Sequence, residues 1–206
     1  MSFIKFFYLR KETSTMMSFM DFFIIFIIII ILFFYIKNYY AEVIYVKSSI
    51  DNRNYLVRKL PDRQKAADYL ASVNKDLQYI VKHLAAKYPD KPEVKRLFEN
   101  YNPDNVSEGS AESGYTSYSV NKGERIVLCI RQKDAEDSFV DKNVLFYVAA
   151  HEIGHLATES IGHDKAFWDN FKFILNEAVE IGLYKKVDFA KKPTPYCGIK
   201  ITSSII

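Results

Sequence analysis

The segment His151-Glu152-Ile153-Gly154-His155 sets two imidazoles four positions apart, with a carboxylate next to the first. On a helix, residues i and i+4 share a face one turn apart, so both rings point into one space with Glu152 beside it. Two neutral imidazoles make half of a tetrahedral site for Zn2+. A third protein ligand leaves the fourth position to water, whose pKa the ion lowers to about 7, and Glu152 is then placed to take the proton. Glu152 is therefore the candidate catalytic base, and His151 and His155 are candidate metal ligands. The chain has 4 His, and three of them, His151, His155 and His163, fall between positions 151 and 163.

Such a site needs rigid support. The apolar run Val144 to Ala150 directly before the motif predicts a buried helix that holds the rings, capped by Asp141 or Asn143. His163-Asp164 opens a second helix with a core stripe of Phe167, Phe171, Ile174, Ala178 and Ile181, ended by Gly182. Asp164 reads as its cap, and Phe167 and Trp168 as packing behind the metal. Glu177 in this helix is an alternative third ligand, whereas Glu180 reads as a solvated residue.

From His151 to Trp168 the chain resembles the core of the WLM and SprT-like group of small zinc metallopeptidases: an H-E-x-x-H helix, a third His, a spacer and an aromatic pair. The resemblance implies His151, His155 and His163 as Zn2+ ligands and Glu152 as the base. It also implies an α+β fold, a small zincin-like domain with an active-site helix and β-hairpins over residues 38–206. One departure is that seven residues, Leu156 to Gly162, separate the second and third His where the group usually has five. The Asn176-Glu177 pair is similar to the second-helix signature of gluzincins, but Ile181 stands where that signature has Asp. His163 is preferred because Phe167-Trp168 accompany the His version. From Glu42 to the Cys197-Gly198-Ile199-Lys200 tail the chain also resembles membrane-anchored proteins of nucleocytoplasmic large DNA viruses that carry this domain.

Composition bounds the rest. With 206 residues the chain suits one modest domain plus a membrane segment, and part of its 49% hydrophobic content lies in one N-terminal block. After a tail, residues 1–15, the stretch 16–37 is free of charge from Phe22 to Ile36, with Asp21 near one end. About 20 apolar residues cross a hydrocarbon core of roughly 30 Å, and a run this rich in Ile and Phe has no polar face, so a single-pass transmembrane helix is expected rather than a cleaved signal. Basic residues flank it evenly and do not choose a side. A net charge of +3 without a Lys/Arg block predicts no nucleic-acid partner. The 2 Cys, Cys129 and Cys197, are expected to be free thiols.

Between span and motif, Glu42–Lys47 and Asn54–Val57 predict a hairpin. A long helix follows from Pro61-Asp62 with Ala66, Leu70, Val73, Leu77, Ile80 and Leu84 inward; His83, off that stripe, is expected in solvent. Pro92–Tyr101 predicts a shorter helix with Val94, Leu97 and Phe98 inward, Asn102–Gly114 a loop, and Tyr115–Arg131 a second hairpin. Its second strand, Ile126–Ile130, is expected along the cleft by resemblance to zincins, with the charged loop Gln132–Asp141 at the rim. Tyr196 reads as a packing residue rather than an oxyanion donor.

Two function classes follow. One is a membrane-anchored zinc metallopeptidase acting on a protein or peptide substrate, in a virion or host-cell membrane of a large DNA virus. The other is a catalytically inactive membrane-anchored virion structural or assembly protein that keeps the fold. The SprT-like resemblance also raises cleavage of proteins trapped on DNA, against which stand the anchor and the absence of a basic patch.

Overall fold

The structure, a computed structural model, describes residues 19–39, 42–110 and 116–206, which fall into two compact units divided after Ala41. The tail 1–15 and the first residues of the expected span lie outside the described residues. The first unit contributes helix α1, Phe19–Tyr39, whose Phe19–Lys37 stretch is long and apolar enough to cross a membrane. Its large side chains, from Phe22 to Ile36, are nearly all exposed, and the helix has no polar face.

The second unit opens with the expected hairpin, β1 (Val43–Lys47) and β2 (Asn54–Arg58), paired antiparallel. Helix α2 (Arg63–Lys87) buries the whole predicted stripe from Ala66 to Leu84. Helix α3 (Pro92–Asn100) buries Val94 and Leu97, but Phe98 is exposed, because one residue past Leu97 turns it about 100° off the buried line.

The stretch read as a loop conceals β3 (Val106–Glu108), which pairs parallel with β5 (Arg125–Leu128); β4 (Tyr118–Val120) pairs antiparallel on the other side. The sheet order is β3-β5-β4. The cleft-side role expected of Ile126–Ile130 is therefore corrected. β5 is the central strand, with Ile126, Val127 and Leu128 buried, and β4 holds the edge.

A buried ionic network ties these pieces. Arg131 Nε donates to Glu108 at 2.8 Å, and its two terminal nitrogens grip both oxygens of Asp62 at 2.7 and 2.8 Å. The other Glu108 oxygen accepts from the Arg58 backbone N–H at 2.7 Å. β2, β3, the start of α2 and the chain after β5 are thus locked through two buried charges, Glu108 and Arg131.

Helices α4 (Lys142–Ala157) and α5 (Lys165–Glu180) cross beneath the site, and the tail, unassigned in the sequence reading, forms a hairpin of β6 (Thr194–Tyr196) and β7 (Ile199–Ile201). Its two-residue turn puts Cys197 and Gly198 at φ 49° and 85°, a primed-turn geometry that Gly eases. That turn carries Cys197 onto Cys129, and the two form a disulfide, correcting the expectation of free thiols. The physical reason is tertiary: a turn 68 residues away brings the Cα atoms to 6.3 Å.

Candidate metal centre

Helix α4 is apolar nearly all round, from Val144 to Ala150 and again at Ile153, Leu156 and Ala157, so it is buried and its orientation is fixed by packing. Asp141 caps it, accepting from the N–H groups of Asn143 and Val144. Its far end is equally tied: Thr158 Oγ1 donates to Gly154 O at 2.8 Å, Asn100 to Leu156 O at 3.1 Å, and Arg96 to Ala157 O at 3.0 Å. Asp164 caps α5 through the Phe167 N–H, as expected.

His151 and His155 project from one face of α4 and His163 approaches from the connection to α5. One ring nitrogen from each lies within 4.8 Å of the others, and the Nε2 atoms of His151 and His163 are 3.0 Å apart. Zn–N bonds of about 2.05 Å at tetrahedral angles need nitrogen separations of about 3.3 Å, so the three fit one ion with small ring rotations. The donor set, three imidazoles and no carboxylate, also suits zinc.

The rings rest on aromatic walls. Phe167, fully buried, stacks on His155 at 4.2 Å between centroids, and Gly154 lets it in, since a Cβ there would lie 3.3 Å from the Phe167 ring. Trp168 is not behind the cluster: it is 40% exposed and lies over His163, 5.5 Å between centroids. Burial, then the neighbouring rings, push the pKa of His151 down to about 3; burial, then His163 and Lys122, push His155 down to about 4. Two of the three rings are thus neutral, the form that binds metal.

Glu152 faces the same cavity of about 510 Å³. Burial pushes its carboxyl up to about 7, against the pull of the nearby Ser119 on the facing wall. Ser117 to Ser119, leading into and along β4, make the opposite wall; Asn121 and Lys122 continue it, and Ile161 to His163 close the lip. The charged loop 132–141 does not line this cavity. Tyr196 is buried, its hydroxyl 2.5 Å from Ser117 Oγ, which supports the wall from behind.

Glu177 is elsewhere. Its carboxylate accepts from Tyr88 at 2.6 Å and Lys87 at 3.0 Å and meets His83 at 3.1 Å; burial alone would raise its pKa, but these three partners hold it below the usual range. His83, expected in solvent, is therefore a half-buried partner of Glu177. Ser119 and Lys122 were not legible as site residues: a Ser in a strand and a Lys in a turn carry no spacing signal.

The sequence model of the WLM domain family matches residues 49–200. A protein of Acanthamoeba polyphaga mimivirus is 31% identical over 170 residues, covering 81% of this chain and 86% of its own. One of Invertebrate iridescent virus 6 is 35% identical over 92 residues, covering 44% and 51%. Among solved structures, Wss1 from Saccharomyces cerevisiae aligns with a TM-score of 0.43 at 20% identity, over 59% of this chain and 83% of that one.

Proposed function

The chain belongs to the WLM domain family, of zinc metallopeptidase type and shared with proteins of large DNA viruses, and from that premise we propose that it is a membrane-anchored zinc metallopeptidase. The observation that carries this reading is the convergence of His151, His155 and His163 on one point of a cavity that Glu152 also faces.

His151, His155 and His163 hold the ion, which when bound supplies Lewis acidity toward a peptide carbonyl and toward water. Glu152 takes the proton from the attacking water and passes it to the leaving amine. Ser119 on the facing wall favours the charged form, and a pKa near 7 suits a group that must both accept and release a proton near neutrality. β4 lies on the cavity wall at the sheet edge, where an extended peptide can be held by main-chain hydrogen bonds. The stretch Phe19–Lys37, 19 residues and about 28 Å as a helix, serves as the anchor.

The test is digestion of a peptide library by the full chain in detergent, with and without chelator, beside Glu152→Gln. We expect one zinc per chain in both proteins, chelator-sensitive cleavage by the native chain, and none by the variant. Cleavage retained by Glu152→Gln refutes the mechanism, and stoichiometric zinc with no cleavage of any peptide favours an assembly role.

A further inference from the structure

We propose that Lys122 is a positioning residue that sets the place of His163; the inference rests on the metal reading above. The first two ligands ride on a buried helix, whereas His163 sits on an exposed connection. Ile161 is 93% exposed, and a Cβ added at Gly162, φ +88°, would meet nothing within 4 Å. Residues 161 and 162 have no packing of their own to place them, so the path that delivers His163 to its ring contacts is imposed from the ends of the segment. One end is Asp164, the cap of α5. The other is Lys122, whose ammonium donates to the carbonyls of His155 at 3.2 Å, Thr158 at 2.6 Å and Ser160 at 2.5 Å.

These three bonds use all three protons of the ammonium, so no donor is left for a substrate carboxylate. They also place its charge at the carbonyl end of α4, where a cation is favoured. The lysine is itself held firmly. Asn121, Lys122 and Gly123 all have positive φ, at 45°, 57° and 117°, and the turn is pinned by a bond from Asn105 to Gly123 O at 2.8 Å. Gly123 lies so close to α3 that a Cβ would fall 2.3 Å from Asn100 O. A left-handed conformation in a lysine persists only where its surroundings enforce it. Sheet and α3 therefore present one ammonium to the segment that carries the two extra residues.

The experiment compares zinc affinity, by competition with a chromophoric chelator, and the visible spectrum of the cobalt form, in full-length wild type, Lys122→Met, Lys122→Arg and Arg96→Met. Arg96 caps the same helix end, at Ala157 O, and meets residues 158–160 only through a long ion pair, 3.9 Å, with the exposed Glu159 carboxylate, a contact of the kind that contributes little. We expect Lys122→Met to bind zinc about 10–100-fold more weakly, as outer-shell substitutions do, with a weaker cobalt band. Lys122→Arg should recover most of that loss. Arg96→Met should keep wild-type affinity while lowering the melting temperature of the metal-free chain. Unchanged affinity in Lys122→Met, or an equal loss in Arg96→Met, overturns the proposal while leaving the metal reading intact. Wild type that takes up no zinc overturns both. If Lys122→Met does not fold, Lys122→Gln carries the same comparison.

Discussion

Reduction of the Cys129–Cys197 bond should cost the domain much of its stability and disturb the cavity wall before the fold is lost. The bond spans 68 residues, and the chain-entropy relation gives about 4.4 kcal/mol at 25 °C for a loop of that length. That is a large share of the roughly 5–15 kcal/mol typical of a domain. With a urea slope of about 2 kcal/mol per M, the unfolding midpoint should fall by about 2 M. Cys197 sits next to Tyr196, whose hydroxyl meets Ser117 Oγ, and the same Ser117 oxygen accepts the Cys129 N–H at 2.9 Å. Losing the bond therefore loosens the strand end that faces Glu152. The assay is urea unfolding of the full chain in detergent, oxidised, reduced, and as Cys129→Ala/Cys197→Ala, followed by the fluorescence of the single Trp. Coincident midpoints for the oxidised and reduced forms, or two titratable thiols in the untreated folded protein, would refute the reasoning.

Three further outcomes are expected. A carboxyl held near 7 when folded, against an ordinary 4.5, takes up a proton on folding at mildly acid pH, so its stabilisation is full below about 4.5 and gone above 7. The melting temperature of metal-free wild type should thus gain on that of Glu152→Gln as pH falls from 7 to 5; parallel curves would contradict this. Trp168 lies over His163, so zinc titration should change its emission saturably at one equivalent, and His163→Ala should abolish the change at the same metal concentration. Glu108→Ala leaves Arg131 buried with one partner fewer and should destabilise by about 3 kcal/mol in chemical denaturation, well beyond a surface substitution.

Much of the site could be read in the chain because its geometry is local. His151, Glu152 and His155 are fixed relative to one another by helical periodicity, and Asp141 and Asp164 announce their caps by type and position. The long stripe of α2 was equally plain. What escaped was non-local or too short to be periodic. β3 is three residues of mixed polarity whose partner lies about 20 residues on, and its discovery moves β5 to the centre. The disulfide depends on a turn near the C-terminus, and the pairing of His83 with Glu177 on two helices crossing. Phe98 followed the wrong edge of a correctly placed helix. The resemblance supplied the third His, but the seven-residue connection gave no hint of the lysine that meets it.

The strand beside Glu152 has a consequence for how copies of this protein meet one another. β4 is only three residues long. A foreign strand finds there a foothold of few rungs, a poor template for lasting fibrillar growth. So short an edge discourages the chain from sticking to itself.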